Sequence, residues 1–187
     1  VVAGDIYDRA VPPTDAVGLL NATLEELILN LHLPVILIAG NHDNPDRLNF
    51  GQALFAQKQL YIYGTVMANA TPVALEDKYG SVYFAPLTYC EPLTATELSG
   101  EKQPNHDAAL AWQIKQMLAQ IPEASRKVAV AHAFVAGALP TPDSERPLAV
   151  GGTTTVDLKN FEPFNYTALG HLHATQNCSP TVRYSGS

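Results

Sequence analysis

Apolar residues along this chain fall into two patterns, short unbroken runs and stretches at helical spacing. Val1-Val2-Ala3, ahead of Gly4, reads as the end of a buried strand. Pro12-Pro13 can open a helix, because a proline in the first turn gives up no N–H that the helix needs. Leu20, Leu24, Leu27, Ile28 and Leu31 carry that helix on, over roughly residues 13–31. The run over 34–39, Pro-Val-Ile-Leu-Ile-Ala, predicts a strand covered on both faces. A second helix is expected from about Asp46 to Gln57, and strands over Leu60–Tyr63, Pro72–Glu76 and Ser81–Ala85. The last two strands are joined by the turn Asp77-Lys78-Tyr79-Gly80.

A third helix spans roughly Asp107 to Gln120, with Leu110, Ile114, Met117 and Leu118 on one face. Lys127–Ala133 predicts another buried strand, and Gly137–Gly152 a long loop with Pro and Gly. Tyr166–Leu169, Ala174–Asn177 and Thr181–Tyr184 close the series as strands. This alternation predicts an α/β fold with its site at the carboxyl ends of strands. No repeat and no low-complexity segment interrupts it.

Composition adds bounds. The 187 residues suffice for one domain with a real core, and 47% hydrophobic with 16% charged residues fits a globular chain. No apolar run reaches the roughly 18 residues of a membrane span, and no signal-peptide pattern opens the chain. Cys90 and Cys178 form neither a CxxC pair nor a framework, so two reduced thiols in a cytoplasmic protein are expected. The net charge of −7 weighs against DNA binding by bulk electrostatics, although bound divalent metals add positive charge that a residue count ignores. Both ends read as cut inside a fold.

Four segments place polar groups immediately after an apolar run: Gly4-Asp5-Ile6-Tyr7-Asp8, Gly40-Asn41-His42-Asp43, Ala131-His132-Ala133 and Gly170-His171-Leu172-His173. They hold four of the six histidines. Alone, Gly-Asn-His-Asp reads as a turn, and His132 as a core histidine. His171 and His173 would point to opposite faces of a strand, so a turn after Gly170 is needed before both can ligate. Nitrogen and oxygen donors without thiolates suit Mn²⁺, Fe²⁺ or Zn²⁺.

In this order the segments resemble the calcineurin-like metallophosphoesterase superfamily, whose pattern is Asp-x-His, Gly-Asp-x-x-Asp, Gly-Asn-His-Asp/Glu, a lone His and Gly-His-x-His. The last four elements are present here and the first is not. The resemblance implies a layered α/β/β/α sandwich and two divalent metal ions. Asp5 would bridge the metals; Asn41, His132 and His171 would complete the second site; His173 would bind the first. His42 would stabilise the transition state or protonate the leaving oxygen, with Asp8 orienting its ring. A first site lacking its other ligands is expected to bind metal weakly and to leave little activity.

Within the superfamily the chain is similar to SbcD-type DNA nuclease subunits. That likeness rests on Val1–Asp8 followed by Pro12-Pro13, on Ser144-Glu145-Arg146-Pro147-Leu148 before Gly151-Gly152, and on Tyr166–His173 followed by Arg183-Tyr184-Ser185-Gly186-Ser187. It implies an Mn²⁺-dependent exonuclease or endonuclease acting on DNA in repair or recombination, with an SbcC-type SMC-like ATPase as partner. Residues 1–187 would be its nuclease domain, truncated at both ends, without the capping and ATPase-binding segments. The helices near 13–31 and 46–57 are candidates for a homodimer contact, or ordinary core. The loop around Asp143, Ser144 and Glu145 is a candidate substrate contact, or a solvated turn. A small-molecule or cyclic-nucleotide phosphodiesterase and a catalytically impaired scaffold are the alternatives. His32 and His106 read as surface or helix-terminal residues, and Trp112, Tyr61, Tyr63, Tyr83 and Tyr89 as packing.

Overall fold

The structure, a computed structural model, describes residues 1–139 and 154–186. The expectations for Asp143, Ser144 and Glu145 lie outside those residues, as does most of the predicted loop.

The run 34–39 forms β2 (Val35–Ile38), with every residue buried. It is the middle of a three-stranded parallel sheet, between β1 (Val2–Ala3) and β3 (Leu60–Tyr63). The second sheet is larger: β4 (Val73–Asp77), β5 (Gly80–Leu87), β6 (Arg126–His132), β9 (Tyr166–Gly170), β10 (Gln176–Ser179) and β11 (Val182–Tyr184), in the order β10-β11-β9-β6-β5-β4. Its centre, β5-β6-β9-β11, is parallel, and both edges are antiparallel. The short strands β7 (Phe134–Val135) and β8 (Thr155–Val156) make a separate parallel pair. The two main sheets face one another through β1 and β2 against β5, β6 and β9. The near-continuous apolar sequence of β2 follows from cover on both faces.

Helix α5 (His106–Leu118) lies against β5 on the outer face of the large sheet. Leu110, Ile114 and Met117 are buried there with Leu87, Phe161 and Tyr184, and Leu118 packs at the edge of the same core. Trp112 packs beside Cys90, Ala95 and Ala109, as its place in the helix predicts.

Four expectations need correction. The 13–31 helix divides into α1 (Thr14–Glu25) and one π-helical turn (Glu26–Asn30), and of its apolar stripe Leu20, Leu24, Leu27 and Ile28 are half-buried while Leu31 is exposed. The 46–57 helix is two short ones, α2 (Pro45–Leu48) and α3 (Gln52–Ala56), broken at Gly51 with φ 71°. Helix α4 (Pro92–Ser99) was not expected. Val2 is 38% exposed rather than buried, because β1 is an edge strand.

Candidate metal centre

Every parallel strand in the centre of the molecule ends at the same edge. Asp5 follows β1, Asn41 and His42 follow β2, His132 ends β6, and His171 follows β9. Donor atoms of Asp5, His132 and His171 lie within 4.8 Å of one another. The Asn41 side-chain oxygen is 2.9 Å from His132 Nε2 and 3.1 Å from His171 Nδ1. Four of the predicted ligands therefore meet at one point.

Close approach requires glycine at two places. A Cβ at Gly40 would strike the Asp5 carboxylate and the His132 ring, and one at Gly170 would strike the Ala3 carbonyl. The ligands themselves are bent: Asp5 has φ 49° and His171 φ 108°. Non-glycine residues adopt such angles at a cost, and they concentrate at functional sites. The bend at His171 is the turn expected after Gly170, and it brings His171, not His173, to the convergent group.

The hydrogen bonding fixes which nitrogen of His132 faces the centre. Its Nδ1 is 2.8 Å from the Ala3 carbonyl, which can only accept, so Nδ1 carries the hydrogen. Nε2 is then the nitrogen that faces the centre, 2.9 Å from Asn41 Oδ1 and 3.3 Å from Asp5 Oδ2. His171 Nε2 is buried with no hydrogen-bond partner among the described residues. A carboxylate, an amide oxygen and ring nitrogens of two histidines converging in one part-buried place make a mixed oxygen and nitrogen donor set of the kind divalent metals take. The residues present thus fit a divalent metal.

The electrostatics agree. Burial first, then the nearby His132 ring, pulls the His171 imidazole down to about 4, so it is neutral at pH 7 with a lone pair for a ligand. Burial pushes the Asp5 carboxyl up, but the hydrogen bond and charge of His132 and the His42 amide outweigh it, leaving Asp5 below its ordinary value.

Asp43, which closes the Gly-Asn-His-Asp segment without an expected role of its own, holds the first two loops together. Its carboxylate accepts from the amides of Gly40 (2.8 Å), Ile6 (3.0 Å) and Tyr7 (3.0 Å). The residue is 7% exposed, and burial raises its pKa against the pull of those three amides. His42 donates its own amide to Asp5 Oδ1 at 3.0 Å, and its ring Nε2 is buried with no hydrogen-bond partner among the described residues.

Two predicted site residues stand apart. Asp8 does not reach His42: its side chain is 82% exposed and pairs with Arg9 at 3.3 Å, as a carboxylate on an open loop does with an adjacent cation. His173 is exposed and lies outside the convergent set, one residue beyond the bend at His171.

A cavity of about 220 Å³ opens beside the ligands, lined in part by Asn41, His132 and His171. Tyr89, His106 and Phe134 also line it; the sequence pattern predicts packing for Tyr89 and a surface or helix-terminal place for His106, which is the first residue of α5. The His106 side chain is only 15% exposed. Seventeen residues separate it from Tyr89, and only the end of β5 meeting the start of α5 brings them together.

A model of the calcineurin-like phosphoesterase family matches residues 1–174. The chain is 35% identical over 189 aligned residues to the SbcD component of the SbcCD nuclease of Staphylococcus epidermidis. That alignment covers 100% of this chain and 49% of the relative, so the chain spans about half the relative's length.

Proposed function

The chain belongs to the calcineurin-like phosphoesterase family, and from that premise we propose that it is the catalytic core of an SbcD-type DNA nuclease that hydrolyses phosphodiester bonds. The observation that carries this reading is the meeting of donor atoms of Asp5, Asn41, His132 and His171 at one point. In this reading these four residues would hold one divalent ion, and Asp5 together with His173 would contribute to a second. Mn²⁺ suits the mixed nitrogen and oxygen donors. Bound metals supply Lewis-acid stabilisation of the phosphate and a nucleophile at neutral pH.

The chain's own residues do the remaining work. Asp43 fixes the loops that carry Asp5 and Asn41, so the ligands are ordered before substrate arrives. His42 has a ring nitrogen without a partner among the described residues, available to give a proton to the leaving oxygen. Asp8 would have to leave Arg9 to support that ring. Residues 1–187 carry the proposed donor set of one metal and, besides the shared Asp5, a single predicted donor to the other. They are therefore proposed to bind the second ion weakly and to turn over slowly. A DNA substrate in repair or recombination, an SbcC-type ATPase partner and a homodimer belong to this same reading.

The acidic balance of −7 favours one second reading, a phosphodiesterase for small molecules. An assay of linear DNA with Mn²⁺, beside a model phosphodiester and a His42→Ala variant, separates the two. Mn²⁺-dependent DNA cleavage that falls roughly 10²–10⁴-fold in the variant is expected. Turnover of the model ester with intact DNA would favour the small-molecule enzyme.

A further inference from the structure

The cavity beside the metal ligands is built from rings. His132 and His171 meet edge to face, with centroids 5.2 Å apart. The Tyr89 ring stands edge-on to His132 at 6.3 Å, and Phe134 lies 6.0 Å from His171, tilted. Beyond Tyr89 the His106 ring follows at 5.6 Å. The metal-binding edge of the site therefore runs directly into an aromatic-walled recess.

Tyr89 is held in place by polar contacts. Its hydroxyl donates to Glu91 Oε1 at 2.7 Å and lies 3.2 Å from His106 Nε2, while Glu91 Oε2 sits 3.5 Å from the same nitrogen. The fold supplies this arrangement through the residues just after β5 and the first residue of α5. Packing alone does not call for a tyrosine hydroxyl bound between a carboxylate and an imidazole at the rim of a cavity.

The volume, about 220 Å³, is below the roughly 300–1,000 Å³ of pockets that enclose a drug-sized ligand. It admits one planar ring system and excludes a duplex. A phosphate at the convergent ligands would place the group esterified to it at the mouth of this recess.

We propose that this recess is a subsite for a single unstacked nucleobase next to the scissile phosphate, with Tyr89 as its stacking wall. The proposal rests on the phosphoesterase reading of the metal centre, and adds that the enzyme takes one nucleotide out of its stack. Stacking on an aromatic side chain tolerates any base, so the subsite selects for the presence of a base and not its identity. Tyr89 is a positioning residue for substrate, and Glu91 and His106 fix the angle of its ring.

Binding tests this without requiring turnover. The Mn²⁺-loaded protein is titrated calorimetrically with deoxyadenosine 5′-monophosphate and with 2-deoxyribose 5-phosphate, which has the same phosphate and sugar but no base. The nucleotide is expected to bind about ten- to a hundred-fold more tightly. Tyr89→Ala should collapse that ratio toward one, and Tyr89→Phe should keep most of it. Each ratio is taken within one variant, so any change at the metal centre cancels.

Equal affinities in the parent protein, including no measurable binding of either ligand, would overturn the proposal. So would a ratio that survives in Tyr89→Ala. If the ratio behaves as expected but DNA is not cleaved, the subsite stands and the nuclease reading fails, leaving a phosphoesterase for free nucleotides.

Discussion

Asp43 shows how much one side chain can organise here. Three amides from two loops converge on its buried carboxylate, and those loops carry Asp5, Asn41 and His42. Hydrogen bonds to a charged group are worth about 1.5–3 kcal/mol, and three donors would be left unmet without it. Asp43→Ala is therefore expected to cost roughly 2–4 kcal/mol in urea unfolding and to weaken Mn²⁺ binding at the same time. A variant of unchanged stability would contradict this role. The convergence of Asp5, Asn41, His132 and His171 was legible because each follows or ends an apolar run. The work of Asp43 was not, since its acceptor role depends on amides 36 and 37 residues away. The neighbours of Asp8 were equally out of reach: spacing says that a carboxylate follows Asp5, not whether the loop turns it toward His42 or out to solvent.

Among the elements, β2, β3, β5 and β6 follow closely from their apolar runs, because cover on both faces imposes a continuous pattern. Helix α4 was missed because Pro92-Leu-Thr-Ala-Thr-Glu-Leu-Ser shows little periodicity, and only Ala95 in it is buried. Strand β11 carries a device no pattern announces. The Tyr184 hydroxyl donates to the Ala133 carbonyl at 2.7 Å and accepts from the Val135 amide at 2.9 Å, tying β11 to the stretch just past His132. Tyr184 is fully buried, so Tyr184→Phe leaves both partners unmet and is expected to cost about 1–3 kcal/mol by chemical unfolding. A stability equal to that of the parent would contradict that bridge.

At the hairpin end, Arg126 at the start of β6 forks onto Asp77 at 2.7 and 2.8 Å. That bond, with the Tyr79 amide second, holds the Asp77 carboxyl down to about 2. A depressed carboxylate stabilises the fold above its unfolded value near 3.8, and the contribution is lost as pH falls through about 2. The pair is exposed, so the effect is small and salt-sensitive. Arg126→Met should lower the melting temperature slightly at pH 7 and converge on the parent as pH drops toward 2. A difference independent of pH would contradict this.

For the whole molecule, the α/β class and the position of the site follow from one fact. The parallel strands β1, β2, β6 and β9 send their carboxyl ends to one edge, and the convergent residues Asp5, Asn41, His132 and His171 lie at those ends. The stripe of α1 is a weaker case. Its spacing is that of a core-facing helix, and Leu20 and Leu24 on it are half-buried, yet none of its residues is fully buried in this fold. Periodicity reports that a helix has an apolar face, not what lies against it.

The central claim is that Asp5, Asn41, His132 and His171 hold a divalent metal, and Mn²⁺ electron paramagnetic resonance tests it most directly. Titration of the chain should give one tight site per molecule, with nitrogen couplings from two imidazoles. His171→Ala should remove one of those couplings and weaken binding by roughly ten-fold or more. An Mn²⁺ signal that stays that of the aqueous ion, or bound metal indifferent to His171→Ala, would contradict the account.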